Sequence, residues 1–155
     1  MKKVKLQVPA TVANLVCGFD ILGMAIHEPF DEMELRLLET PEIIVKHTDN
    51  FKLPEEPSQN VAGVVLLKIQ EYLNLKNGFE VIINKKIKPG SGLGSSAASA
   101  AGAAVGANEL LGNIFTREEL VHFAMFGEEL ASGVKHADNI APCIFGGITL
   151  VKSSN

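Results

Sequence analysis

Residues 89–98 read Pro89-Gly90-Ser91-Gly92-Leu93-Gly94-Ser95-Ser96-Ala97-Ala98, a glycine-rich turn joined without a break to an alanine-rich helix. Three glycines within five residues let the backbone take positive φ and approach a ligand closely, while the Ser95 and Ser96 hydroxyls fall where the helix starts. The first-turn N–H groups of such a helix lack intrahelical partners and carry roughly half a positive charge, which suits a polyphosphate. The spacing lacks the Walker A lysine and is not G-x-G-x-x-G, so ordinary P-loop and Rossmann architectures are disfavoured. The bland alternative is a turn that caps a helix packed tightly on a sheet, and it accounts for only part of the decapeptide.

Outward from this loop, Phe79 to Asn84 reads as a strand. Lys85, Lys86 and Lys88 follow it, either raising the potential around an anion or forming a solvated strand end. The helix runs from Ser95 to about Leu111, and its Ala/Gly face permits very close packing. Upstream, residues 3–8 alternate as a half-buried strand that stops at Pro9. Glu32 to Leu38 and Ile43 to His47 alternate similarly and look like antiparallel strands, with Phe51 to Ser58 as a surface loop. Val61, Val64, Val65, Lys68, Ile69 and Tyr72 recur at three and four, predicting a helix to about Leu73 with Asn60 near its cap. Thr116-Arg117-Glu118-Glu119 is a capping box that opens a helix through Leu130, and Ile148 to Val151 forms a last strand after Gly146-Gly147. There is no internal repeat, low-complexity tract or linker.

The 155 residues suit one domain with a sizeable core, and 46% hydrophobic with 21% charged residues is ordinary for a globular chain. A net charge near −4 disfavours a general nucleic-acid binder. Cys17 and Cys143 stand alone among apolar or small neighbours, which suits buried free thiols in a reducing compartment rather than a disulfide. The N-terminus alternates too strongly for a signal sequence, and the tract Ala97 to Ala107 is well short of a bilayer span. A cytoplasmic protein is expected, with no membrane partner.

Two further clusters carry chemistry. Pro9 to Asp20 places Asn14 and Asp20 in an otherwise apolar segment, where they either satisfy backbone in a turn or face a ligand. Glu128 on the capped helix, followed by Ser132 to Asn139, would complete a magnesium site and a substrate pocket, since Mg²⁺ takes one or two protein oxygens. The alternative makes Glu128 and Glu129 a solvated helix end. His136-Ala137-Asp138 also resembles part of an iron-binding facial triad, but no downstream His completes it and His27, His47 and His122 have no supporting spacing, so that reading is set aside.

Together the three clusters resemble the GHMP kinase superfamily, and within it the homoserine kinases. Pro89 to Ala98 is similar to that family's phosphate loop. Pro9-Ala10-Thr11 with Asn14-Leu15 and Gly18-Phe19-Asp20 resembles its first motif, and His136 to Pro142 with Gly146-Gly147 resembles a later signature. The resemblance spans residues 3 to about 151. It implies an α+β fold, a mixed, mostly antiparallel sheet covered on one face by helices. It implies ATP and Mg²⁺ as cofactors and L-homoserine as the small-molecule partner, with homodimerisation left open. The nucleotide would meet Asn60 near its base, and a run from Lys88 and Pro89 through Gly90, Ser91, Gly92, Leu93, Gly94, Ser95 and Ser96 at its phosphates. Ser96 and Glu128 would hold the metal.

Asn14, Asp20, His136 and Asn139 would line the homoserine pocket, with Asp20 and Asn139 closest to the chemistry. Many superfamily members carry Asp where this chain has Asn139. An Asn cannot act as a general base, so the substrate hydroxyl would be positioned and its proton would leave to the γ-phosphate, in keeping with phosphoryl transfer as positioning and charge neutralisation.

The family's C-terminal glycine-rich motif has no counterpart here, and Arg36 and Arg117 do not match its carboxylate-binding residues. Residues 1–155 are therefore expected to be the N-terminal ATP-binding domain of a homoserine kinase of about twice this length, inactive or nearly so alone. Two other readings stay open, another small-molecule GHMP kinase and a non-catalytic nucleotide-sensing module.

Overall fold

The structure, a computed structural model, describes the backbone of residues 1–15 and 18–152 and the side chains of 1–14 and 22–152. Strand β1 (Lys3–Leu15) pairs antiparallel with the long strand β2 (Gly18–Leu38). The strand does not stop at Pro9. Pro9 still pairs with Phe30 on this edge strand, next to a register shift between Pro9 and Thr11, the kind of place where a strand tolerates proline, and pairing resumes beyond it.

Strand β3 (Ile43–His47) is followed by a 3₁₀ turn at Pro57–Gln59, helix α1 (Val61–Leu73) and strand β4 (Gly78–Asn84). β4 pairs antiparallel with the second half of β2, and β3 pairs parallel with β4. The expectation that Ile43 to His47 is antiparallel is thus corrected: α1 is a crossover connection, and a crossover returns the chain in the same direction. A short strand β5 (Ile148–Leu150) pairs with β2 at Leu22–Met24, giving the order β1-β2-β4-β3 with β5 beside β2. The sheet is mixed and mostly antiparallel.

Alternation assigns its two faces. Met33 and Leu35 of β2 and Phe79, Val81 and Ile83 of β4 are buried on one face. α1 and helix α2 (Ser95–Leu110) cover that face, and helix α3 (Arg117–Ser132) lies on both of them. The other face carries Glu34, Arg36, Lys46 and Glu80, paired as Arg36–Glu34 at 2.6 Å, Arg36–Glu80 at 3.1 Å and Lys46–Glu80 at 2.6 Å. Helices thus cover one face, as expected. No helix among the described residues is long and apolar enough to cross a membrane.

α2 is buried on nearly every side, which explains its small residues. A Cβ on Gly106 would stand 2.6 Å from Leu35 Cδ1, and one on Gly102 would stand 2.9 Å from Val8 Cγ2, so the helix backbone lies directly on the sheet. Residues 140–145, to which the sequence reading gave no element, form a fourth helix, α4 (Ile140–Phe145). Pro142 sits in its first turn, where an N–H has no intrahelical acceptor to lose.

Gly63 in α1 gives a test of this close packing. Glycine to alanine inside a helix ordinarily stabilises by about 1 kcal/mol. A Cβ here, however, would lie 2.6 Å from Pro57 Cα, backbone against backbone. Gly63→Ala should therefore destabilise, by about 1–3 kcal/mol in urea unfolding. A stabilised variant would show that the turn before α1 yields freely.

Candidate active site

The glycine loop bridges β4 and α2. Gly90, Gly92 and Gly94 have φ of 77°, 81° and 68°, the left-handed region that side chains disfavour. Left-handed residues at alternate positions are the backbone pattern of anion-binding concavities. A Cβ on Gly90 or Gly92 would meet nothing within 4 Å, so those two glycines serve the backbone turn and leave open space beside it. Gly94 is the N-cap of α2, and no side chain caps that helix. Its first-turn N–H groups face a cleft of about 530 Å³ lined by Pro89, Gly90, Gly92, Gly94, Ser95 and Ser96. Lys88, Ser91 and Leu93 lie off this lining: Lys88 and Ser91 are exposed, and the Ser91 N–H donates to the Lys88 carbonyl.

Two buried aspartates hold the root of the loop. Asp31 Oδ1 accepts the N–H groups of Lys86 at 2.7 Å and Ile87 at 2.8 Å, while Asp49 Oδ2 accepts that of Lys85 at 3.0 Å. The Lys85 ammonium donates to Asp31 Oδ2, to the Ser95 carbonyl at 2.9 Å and to Ser99 Oγ at 2.9 Å. The side chains of Lys85 and Asp31 are 2% and 0% exposed, so Lys85 is not a solvated strand end. All three of its donors are engaged within the protein, which leaves none for a phosphate although it lines the cleft. Burial draws its pKa below the ordinary lysine value, against the attraction of Asp31. Ser95 Oγ closes the loop by donating to the Ile87 carbonyl at 2.9 Å.

At the other end of the cleft are His47, Leu53, Pro54, Gln59, Asn60 and Val61. Asn60 is the N-cap of α1, and its Oδ1 accepts from Ala62 and Gly63 N–H at 3.0 and 3.2 Å. Its Nδ2 donates to the Pro54 carbonyl at 2.7 Å and lies 3.1 Å from His47 Nε2. The side chain is therefore engaged in shaping the wall. His47 Nδ1 is 3.1 Å from Asp49 Oδ2. Desolvation pushes the Asp49 carboxyl up, but hydrogen bonds from Lys85 N–H, the His47 ring and Phe51 N–H outweigh it and leave it below its usual value.

On the side facing α3, Ser96 Oγ donates to Glu128 Oε2 at 2.8 Å. Burial pushes the Glu128 carboxyl above the usual glutamate range; the Ser96 hydroxyl opposes this, Asp138 adds to it and His136 opposes it. A half-buried hydroxyl and carboxylate at the first turn of α2, beside open left-handed glycines, fit a magnesium–nucleotide, since Mg²⁺ keeps several waters and takes few protein ligands. Among the described residues no cluster of three His, Cys, Asp or Glu could hold a metal alone. Asn139 also lines the cleft, and its Oδ1 accepts from Thr11 Oγ1 at 2.8 Å. Asn14 lines the cleft with φ of 59°, whereas His136 is exposed and not on its lining. The Asp20 side chain, like Cys17, lies outside the described residues. Cys143 carries a free thiol that burial pushes up to about 12, so it is inert.

Sequence reading missed Thr11, Asp31, His47 and Asp49. Asp31 and Lys85 carried a signal: each falls in step with the inward positions of its strand, Met33 and Leu35 for one, Phe79, Val81 and Ile83 for the other.

The chain is similar to known proteins over nearly its whole length. The family model described as GHMP kinases N terminal domain matches residues 60–147. The homoserine kinase of Methanococcus maripaludis is 47% identical over 154 residues, 99% of this chain and 51% of that protein. The homoserine kinase of Chlorobaculum tepidum is 43% identical over 167 residues, 100% of this chain and 52% of that protein. The crystal structure of homoserine kinase from Cytophaga hutchinsonii superposes with a TM-score of 0.91 at 43% identity, covering 99% of this chain and 49% of that one. The chain thus spans about half the length of the curated relatives it matches.

A carboxyl whose folded pKa lies above its unfolded value of about 4.3 opposes folding once pH rises through the raised value, because the buried charge must then be held. At pH 7, Glu128→Gln should therefore melt at or above wild type. Its magnesium–nucleotide affinity should fall on the order of 10–100-fold by calorimetry. A variant that melts lower and keeps its affinity would reverse the assignment.

Proposed function

The chain belongs to the GHMP kinase family, and on that premise we propose that the protein carrying it transfers the γ-phosphoryl group of ATP to the side-chain hydroxyl of L-homoserine, giving ADP and O-phospho-L-homoserine. One observation carries the phosphoryl-transfer reading: a loop of three left-handed glycines opens onto the uncapped first turn of α2, beside the Ser96–Glu128 pair. The identity of 43–47% to proteins named homoserine kinase supports the substrate.

The loop and helix N–H groups would hold phosphate oxygens, and Ser96 and Glu128 would hold Mg²⁺. Mg²⁺ held there would supply positive charge against that developing on the transferred group. With its Oδ1 engaged by Thr11, Asn139 offers the cleft an N–H donor. It orients the acceptor hydroxyl and removes no proton. As the new O–P bond forms and the bond to the β-phosphate oxygen breaks, the hydroxyl proton passes to a phosphate oxygen. Asp20 holds the substrate's hydroxyl or amine.

The substrate carboxylate needs a cation that this cleft lacks among its described lining residues. The Lys85 donors are engaged, Arg36 is bound to Glu34 and Glu80 on the far face of the sheet, and Arg117 sits 5.9 Å from the Phe145 ring. We assign that cation to the portion of the relatives' length beyond this chain, so residues 1–155 act as the ATP-binding domain of a two-domain enzyme, with little turnover alone. A cytoplasmic location for the reaction is part of this proposal.

A coupled ADP-release assay on the full-length protein tests this, with L-homoserine, mevalonate, galactose and shikimate offered separately. Turnover with L-homoserine alone is expected. Turnover with another acceptor, or ATP binding with no turnover on any, would replace this reading with a different kinase or a sensor. Asp20→Asn should lower kcat/KM for L-homoserine about 100-fold and leave nucleotide affinity unchanged. Equal loss of both would instead mark a folding defect.

A further inference from the structure

Thr11 is fully buried, yet it touches both sides of the cleft. Its N–H donates to the Leu93 carbonyl in the glycine loop at 3.0 Å. Its hydroxyl donates to Asn139 Oδ1 at 2.8 Å, across 128 residues of sequence. Gly94 fits between them: a Cβ there would collide with Thr11 Oγ1 and stand 3.2 Å from Asn139 Oδ1. The backbone before Asn139 is fixed as well, because Asp138 lies against β2 at Gly23, where a Cβ would collide with the Asp138 carbonyl. One residue therefore ties the loop read as holding the phosphoryl donor to the carboxamide read as facing the acceptor.

We propose that Thr11 is a positioning residue: its hydroxyl occupies Asn139 Oδ1 so that only the Nδ2 donor meets the acceptor, while its N–H fixes the separation of Asn139 from the phosphate loop. This rests on the kinase reading above. A carboxamide that lacked the hydroxyl could rotate by half a turn and present Oδ1 instead, an acceptor that competes for the hydroxyl proton and leaves the attacking oxygen misdirected. The backbone bond to Leu93 survives any change of side chain, so the two contacts can be separated by mutation.

Thr11→Val keeps the shape and removes the hydroxyl. It should lower kcat for L-homoserine about 10–100-fold, the scale of a misplaced reacting group, with nucleotide Kd little changed. Thr11→Ser should restore most of the rate. In an Asn139→Ala background Thr11→Val should have almost no further effect, because the two residues act as one unit. Full additivity in that cycle, a Ser variant as defective as Val, or nucleotide affinity falling in step with kcat would overturn the proposal.

A second readout needs no turnover. The side-chain ¹⁵N–¹H signals of Asn139 should shift in Thr11→Val and return in Thr11→Ser. If the protein turns over no L-homoserine yet shows that response, the substrate reading fails and the Thr11–Asn139 coupling stands. A carboxamide indifferent to Thr11→Val refutes the coupling itself.

Discussion

The buried pair of Asp31 and Lys85 is the interaction on which the site depends. Removing two charges from water costs several kcal/mol for each ion, which attraction offsets only when the remaining donors and acceptors are also satisfied. Here they are. Asp31 receives two backbone N–H groups besides the ammonium, and Lys85 also reaches the Ser95 carbonyl and Ser99 Oγ. The pair thereby joins β2, the end of β4 and the first turn of α2. A glycine loop free at its ends would lose more backbone entropy on binding than a ligand readily offsets. Fixed at both ends, its N–H groups are organised before the ligand arrives, which is the condition for electrostatic stabilisation at no further reorganisation cost.

The rest of the cleft is built outward from that root. Asp49 takes the preceding N–H of the same segment and leads through His47 to Asn60, the cap of α1, so the far wall is tied to the phosphate end by a chain of polar contacts. On the other side α3 brings Glu128 to Ser96, and the turn into α4 brings Asn139 to the loop. No element supplies the whole site. The sheet fixes the loop, and the helices, packed closely on the sheet through glycine and alanine, deliver the side chains around it.

Much of this was legible in the sequence. The loop, the start of α2, the Thr116 capping box and the Asn60 cap are local signals, set by backbone conformation and nearby hydrogen bonds. Alternation also showed the two-faced strands, whereas the mixed, helix-covered sheet came from the family resemblance, and the parallel pairing of β3 with β4 was not legible from alternation. What it hid was of two kinds. Asp31 and Lys85 lie in step with buried apolar positions, but a charge in an inward register reads as solvated until its partner is known, and that partner is 54 residues away. Thr11 faces inward because of the irregularity after Pro9, which shifts the register that alternation would have used. Asn60 was placed near the nucleotide base from resemblance; its side-chain atoms turn out to cap the helix and hold the wall.

On the proposed function, backbone N–H groups of the anchored loop, rather than a lysine, receive the phosphates. The most direct measurement is the amide and lysine-ammonium NMR response of the full-length protein as magnesium and a non-hydrolysable ATP analogue are added. The largest amide shifts are expected from Gly90 to Ser96, with the Lys85 ammonium unmoved against Asp31. A Lys85 signal that shifts while the loop amides stay in place would contradict it.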